Sequence, residues 1–156
     1  MEQIQRLIKE ANNKFKTADH LVYVTYGLLK DQRLMLAVIQ NLHTASLNAI
    51  AALLYYEKIY KRIDVLPLEV NSRIKLFEDN LSKVYKLNKE VINVVKELRI
   101  LVNEHRESPL EFARKEKLII CNDDYSKINM VDINKLKNYV INIRELIEVV
   151  NKLKNV

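Results

Sequence analysis

The chain has 156 residues, of which 49% are apolar, and this length is sufficient for one domain with a proper core. It contains one glycine and two prolines. Folds rich in β-structure need many tight turns at this size, and those turns depend on glycine and proline. The composition therefore excludes a turn-rich fold and favours long helices joined by few reversals.

The net charge of +6 permits contact with nucleic acid or anionic lipid. It does not require such contact, because lysine occurs in every segment together with glutamate and aspartate. The single cysteine, Cys121, cannot form an intramolecular disulfide. Residues 1–14 lack the apolar run of a secretory signal, and the most apolar stretch, residues 45–56, is shorter than the roughly 20 residues that span a bilayer. We therefore expect a cytoplasmic protein.

Apolar residues recur at alternating spacings of three and four residues, which is the period of an amphipathic α-helix. The first helix is predicted over residues 2–30, where Gly27 and Lys30 mark its end. Asp31 is suited to cap the next helix. The second helix is predicted over residues 32–63, and because it is apolar on several sides, we expect it at the centre of the fold.

A third helix is predicted over residues 69–105, after a turn in which Pro67 disfavours helix at the preceding residue. Its apolar positions form a heptad-like seam in which Asn88 falls on a core position. A polar residue at such a position can fix register or the number of partners. In the interpretation that we prefer, Leu87 rotates into the seam and Asn88 lies at its edge.

The fourth long helix is predicted over residues 132–154, with Asp132 as its N-cap. Because the first three helices are joined by short connections, neighbouring helices are expected to run antiparallel. The predicted fold is therefore all-α: a single domain, residues 1–156, forming an antiparallel four-helix bundle. A short additional helix is expected between the third and fourth long helices.

Residues 103–130 form a long connection for a compact helical protein, and long connections often carry function. Ser108 and the three residues after it have the features of a helix start: a serine N-cap, a proline at the first helical position and the glutamate of a capping box. We therefore predict a short helix over residues 109–116. Residues 118–121 are apolar and β-prone.

Metal and nucleotide chemistry are not indicated. The three histidines, His20, His43 and His105, are not three or four residues apart, and the Glu-x-x-His pair of di-iron bundles does not occur. A chain with one glycine cannot build a glycine-rich phosphate-binding loop. We therefore expect neither a metal nor a cofactor.

Arg99 and His105 lie six residues apart near the end of the third predicted helix. A guanidinium can hold a phosphate through two hydrogen bonds while an imidazole moves a proton to or from a ribose oxygen. The pair resembles the motif of the HEPN families, small helical bundles whose ribonuclease members carry an arginine, four to six residues and then a histidine. The resemblance covers this motif, its place before a final helix and the bundle architecture. It implies a metal-independent ribonuclease site across a homodimer, with Arg99 and His105 as catalytic residues.

In the alternative interpretation, Arg99 is a solvated helix residue and His105 interacts favourably with the helix C-terminus. Further basic residues lie nearby. A corner for anions or RNA would combine the free N–H groups of the predicted short helix with these side chains: Arg106, Arg114, Lys115 and Lys117. Interspersed glutamates would cancel much of this field, so a salt-bridged surface is the preferred interpretation.

Aromatic residues also cluster near cations, because Tyr55, Tyr56 and Tyr60 lie close in sequence to Lys61 and Arg62. Such rings can stack on RNA bases. More often they pack at the edge of a core, and this is the interpretation that we prefer.

Two functional hypotheses of different classes follow. The preferred one is a non-enzymatic interaction or scaffold module that docks a protein partner or a second copy of itself, with a homodimer expected and no membrane. The alternative is a HEPN-like RNA-binding protein or endoribonuclease that uses Arg99 and His105.

Overall fold

The computed structural model describes residues 1–107, 111–114, 117–121 and 128–155. These residues are mostly helical, which confirms the predicted predominance of helices. The elements in chain order are α1 (Glu2–His20), a π-helical segment (Leu21–Thr25), α2 (Tyr26–Leu29), α3 (Arg33–Ile59), α4 (Val70–Leu76), a second π-helical segment (Phe77–Leu81), α5 (Ser82–Val84), α6 (Lys89–Glu107), β1 (Glu111–Arg114), β2 (Lys117–Cys121), β3 (Ile128–Asp132), α7 (Ile133–Asn151) and a 3₁₀ segment (Lys152–Asn155).

The first predicted helix is confirmed as one helical rod made of α1, the first π-helical segment and α2. It ends at Lys30 rather than at Gly27. Lys30 adopts a left-handed conformation with φ of 48°, and its N–H donates to the Tyr26 carbonyl at 2.8 Å. The N-cap of α3 is Gln32 rather than the predicted Asp31, whose carboxylate accepts the backbone N–H of Arg33 at 2.9 Å.

The central position predicted for the second helix is also confirmed, since α3 contacts α1, α4, α6 and α7. Its buried side chains lie on several sides of the helix. By length and composition alone, α3 could also cross a membrane, a criterion that the core helix of a soluble protein also meets. Residues 45–56, the most apolar stretch of the sequence, are only part of this helix, which has 27 residues. In this fold, α3 is covered by the protein's own helices.

The prediction of one continuous helix over residues 69–105 is wrong. The segment breaks at Lys86, which is left-handed with φ of 53°. The Lys86 N–H donates to the Lys83 carbonyl at 3.2 Å, and the Leu87 N–H donates to the Ser82 carbonyl at 2.9 Å. This pair of bonds is a Schellman motif, which ends a helix by satisfying its last carbonyls. The apolar period continues on both sides of the break, and that is why the pattern concealed it.

Asn88 therefore lies neither at a core position of the predicted seam nor at its edge, because there is no continuous seam. Its side-chain oxygen accepts the backbone N–H of Glu90 at 3.0 Å and so satisfies a donor in the first turn of α6. Leu87 is partly buried and packs against the core, as expected.

The prediction of a short helix over residues 109–116 is also wrong, because residues 111–114 form strand β1. The serine-proline start proposed for that helix, residues 108–110, lies outside the described residues. The three strands form one antiparallel sheet in the order β1-β2-β3. Leu118 and Ile120 of β2 are buried, and β2 contacts α6 and α3. Burial of this β-prone pair together with strand pairing outweighs the local helix-start signal.

The fourth helix is confirmed as α7, and Asp132 caps it by accepting the Lys135 N–H at 2.8 Å. Helix α7 runs antiparallel to α1. Asn12 and Asn151 exchange amide hydrogen bonds of 2.7 and 3.0 Å. Two turns further along this pair of helices, Asp19 of α1 accepts from Arg144 of α7.

Helix α7 also runs antiparallel to α6. The Tyr139 hydroxyl donates to Glu97 at 2.7 Å, and Glu145 accepts the backbone N–H of Asn88 at 3.2 Å. Burial, and then the hydrogen bond to Glu97, raises the pKa of Tyr139 above its usual value. The hydroxyl therefore remains a donor across the physiological pH range.

The substitution Lys86→Gly tests the lysine cap. Glycine adopts the left-handed conformation without the Cβ clash, so we expect the free energy of unfolding to rise by about 1 kcal/mol. Urea unfolding measures it. In the matched control, Lys83→Gly inside α5, glycine is expected to lower stability by about 0.5–1 kcal/mol. A Lys86→Gly protein no more stable than the wild type would contradict this account of the cap.

Candidate functional site

Arg99 lies on the side of α6 that faces α4. Its Nε donates to the side-chain oxygen of Asn71 at 3.4 Å. The two helices border an open groove of about 520 Å³. The same groove contains Lys96 and Glu78, whose charged atoms are 2.7 Å apart. Arg99 is therefore a partly buried residue in a groove of mixed charge.

His105 leaves α6 in a different direction. It follows Leu98 by seven residues and Val102 by three, so it continues the buried side of the helix, and it is half-buried. Residues six apart on an α-helix differ in direction by about 120° and lie about 9 Å apart along its axis. Arg99 and His105 therefore project towards two surfaces of one chain. Their catalytic assignment stays a prediction.

The proposed anion-binding corner depended on a helix that is absent from residues 111–114, so its free N–H donors are not those of a helix N-terminus. In the hairpin, Arg114 is the register partner of Lys117, and Lys117 is exposed. Arg106 lies in the last turn of α6. The side chains of Arg106 and Arg114, and the whole of Lys115, lie outside the described residues. Anion binding by these residues stays a prediction.

A buried carboxylate near the end of α3 is the feature that the sequence interpretation missed. The Glu57 side chain is 1% exposed, although the C-terminal end of a helix disfavours an anion. Two donors stabilise it. Nη1 of Arg62 lies 3.1 and 3.3 Å from the two carboxylate oxygens, and the Tyr85 hydroxyl donates to one of them. Burial, and then this hydrogen bond, raises the pKa of Tyr85, so the hydroxyl stays protonated and able to donate.

The backbone at the end of α3 places Arg62 over this carboxylate. Lys61 is left-handed with φ of 56°. Its N–H donates to the Lys58 carbonyl at 3.0 Å, and the Arg62 N–H donates to the Glu57 carbonyl at 2.9 Å, which is again a Schellman motif. The guanidinium carbon of Arg62 then lies 5.3 Å from the centre of the Tyr60 ring, within reach of a cation–π interaction.

The sequence did contain a signal for the buried carboxylate. Glu57 follows Ile50 by seven residues and Leu53 by four, so it occupies a position where the buried face of α3 calls for an apolar residue. A glutamate at such a position is buried only if it finds partners.

An exposed apolar surface surrounds the only glycine. We call it the Gly27 face. It consists of Tyr23, Val24, Gly27, Leu28 and Ile141. The exposed fractions of its four large side chains are 47%, 45%, 80% and 58% in that order. Adjacent apolar side chains with this exposure mark an interaction site more often than isolated ones do.

Two contacts place Ile141 of α7 beside the first rod. The Lys137 ammonium lies 5.7 Å from the centre of the Tyr23 ring, and Arg144 is hydrogen-bonded to Asp19 at 2.8 Å. Ile141 lies between Lys137 and Arg144 on the same side of α7. The Gly27 face is therefore one surface formed by two helices.

Among the residues that the structure describes, no close contact requires glycine at position 27. A Cβ built there meets no atom within 4 Å, and the residue lies inside helix α2. Glycine inside a helix costs about 0.5–1 kcal/mol relative to alanine. This cost therefore has no compensation within the single chain.

Within the part of the chain that the structure describes, no group of three or more His, Cys, Asp or Glu residues is placed to hold a metal ion. Comparison with known protein families, characterised proteins and solved structures finds no match to this chain. The resemblance to the HEPN families consequently stays an expectation from the Arg99–His105 motif. Function has to be argued from the chain's own surfaces.

A cleavage assay on structured RNA tests the two candidate catalytic residues. We expect wild type, Arg99→Ala and His105→Ala to leave the RNA equally intact, because the two side chains project from different sides of α6 and neither belongs to the Gly27 face. Cleavage by the wild type that is lost in both variants would establish the nuclease alternative. Cleavage that persists in both would indicate a contaminating nuclease. Circular dichroism of each variant controls for folding.

Proposed function

We propose that the chain is a non-enzymatic interaction module, a four-helix antiparallel bundle that associates with a second copy of itself through the Gly27 face. The bundle arrangement is supported by α7, which runs antiparallel to both α1 and α6. It is also supported by the central α3, which contacts all three. The concentration of exposed apolar side chains around the only glycine is the observation that carries the proposed function.

The apolar character of the Gly27 face suits the centre of an interface. The largest apolar patch on a typical monomer is about 300–600 Å², and such patches are often functional. A standard interface buries about 800 Å² on each partner, with an apolar centre and a polar rim. The Gly27 face supplies the centre. His20, Lys30 and Lys137 border it and supply part of a rim.

Glycine at the middle of this face supports a helix rather than a loop as the partner. Helices pack 8–10 Å apart, and the distance depends on the side chains at the crossing point. A crossing at Gly27 lets two backbones come close, while Val24, about one turn earlier, and the neighbouring Leu28 pack against the partner. A two-fold axis through the crossing brings the same patch together from both chains, as in most homodimers.

Charge substitutions on the Gly27 face provide the first test. In sedimentation equilibrium we expect the wild type at about twice the 18.4 kDa chain mass. Val24→Glu and Leu28→Glu should each weaken the dimer by at least about 30-fold, since about 1.4 kcal/mol is worth a factor of ten and each places a charge in an apolar centre. Leu68→Glu is the matched control, because Leu68 is 92% exposed and lies outside the Gly27 face. A monomeric wild type, or equal effects of all three variants, would refute the proposal.

The substitution Gly27→Met separates folding from association. Methionine is a good helix former and its Cβ meets no atom within 4 Å at this position, so the monomer should become more stable by roughly 0.5–1 kcal/mol. The same side chain should separate the two crossing helices and weaken the dimer about tenfold or more. Unfolding at low concentration and sedimentation at high concentration measure the two effects. A stabilised monomer with unchanged dimerisation would exclude Gly27 from the crossing point.

A further inference from the structure

A second surface, independent of the Gly27 face, lies at the other end of α3. There an open cavity of about 550 Å³ adjoins the buried carboxylate. Three charged residues line it, Glu57, Asp64 and Arg62, so that two carboxylates and one guanidinium leave it one net negative charge. Leu81 and Val84 supply apolar wall. A negative cavity on a chain of net charge +6 is selective for a cation.

Arg62, the cation that the chain itself supplies to this cavity, pairs only incompletely with Glu57. Among the hydrogen bonds of the described residues, Arg62 reaches Glu57 through Nη1 alone, at 3.1 and 3.3 Å. A guanidinium pairs most strongly with a carboxylate through two nitrogens. The Arg62 side chain is also 54% exposed. Most of its surface is therefore in solvent while its partner carboxylate is almost fully buried.

We propose that Glu57, the Tyr60 ring and the Tyr85 hydroxyl form a binding site for the guanidinium group of an arginine on a partner protein, which takes the place of Arg62. The three groups match the chemistry of a guanidinium: a carboxylate to accept its hydrogen bonds, a ring face for its planar cation, and a neutral donor that keeps the carboxylate in position. In the free protein Arg62 acts as an internal stand-in for this ligand.

The cavity walls favour an arginine within a polypeptide over a small free cation. Leu81 and Val84 suit the three methylene groups of an arginine stem. Val65 and Val84, which line the cavity, are 74% and 60% exposed. They offer apolar contacts to residues that flank the bound arginine, and a small free cation has no such residues.

Competition with Arg62 determines the affinity. An internal group on a short tether has an effective concentration in the millimolar range, and a ligand must overcome it. We therefore expect weak binding to the wild type and tighter binding once Arg62 is shortened to an uncharged side chain. Arg62→Met keeps the apolar stem and removes the charge.

The experiment is a nuclear magnetic resonance titration with an acetylated Leu-Arg-Leu amide. The control ligand replaces arginine by citrulline, which has the same shape and no charge. In the wild type we expect the arginine peptide to shift the backbone signals of residues 57–65 and 84–85, and the citrulline peptide to leave them unchanged. Arg62→Met should bind the arginine peptide at least about tenfold more tightly, because the competitor is gone. Adding Glu57→Gln to Arg62→Met should abolish that binding.

Several results would overturn the proposal. One is equal shifts with the arginine and citrulline peptides, and another is binding by Arg62→Met that survives Glu57→Gln. No binding to the wild type at any peptide concentration would show that Arg62 is not displaced. Agmatine that bound as tightly as the peptide would refute the preference for a polypeptide ligand. The wild-type titration does not depend on how the variants fold. Repeating it with Val24→Glu distinguishes this site from the Gly27 face, since the expected shifts are the same in a monomer.

Discussion

The burial of α3 on several sides is the constraint on which the structure depends. A helix that is apolar on more than one side is stable in water only when other elements cover those sides. Each fully buried leucine or isoleucine contributes about 1.5–3 kcal/mol relative to exposure, and α3 buries such residues against α1, α4, α6 and α7. The covering helices need one apolar face each. Their other faces are therefore free to carry charged residues. A few exposed apolar side chains on these faces do not pack against α3.

The composition restricts how the covering helices can be joined. With one glycine, the chain ends three helical segments on left-handed lysines instead: Lys30, Lys61 and Lys86. A lysine in the left-handed conformation lowers the stability of the fold by about 1–2 kcal/mol relative to a glycine at the same position. Sequence reasoning placed the first, second and fourth long helices correctly, because the spacing of apolar residues depends directly on which face is buried. It missed the turn at Lys86, since lysine is not a turn signal and the apolar period continues across it. It also missed the sheet, because pairing of residues 111–121 with 128–132 is a non-local interaction that a local capping pattern does not report.

The candidate sites divide in the same way, into features that local sequence reports and features that depend on tertiary packing. The sequence identified Arg99 and His105 by residue type and spacing, but the direction of each side chain depends on which side of α6 is buried. Leu98 and Val102 bury the side that His105 continues, and Arg99 is left facing α4. Glu57 was overlooked because its partners come from residues five and 28 positions away. Gly27 was interpreted, together with Lys30, as marking a helix end, whereas it lies inside helix α2 and Lys30 alone ends the helix.

The two proposed surfaces lie at opposite ends of α3. The Gly27 face is next to the short connection that leads into α3 at Arg33, and Glu57 lies 24 residues further along. At 1.5 Å per residue the separation along the helix is roughly 35 Å. A dimer formed through the Gly27 face would therefore leave both Glu57 sites uncovered, each a helix length from the interface. Two identical sites held on one rigid particle bind a partner with two arginine-bearing segments more tightly than either site alone, provided that the segments span the distance between them. Weak single sites, each competing with its own Arg62, would then discriminate in favour of multivalent partners, because a monovalent arginine gains nothing from the second site.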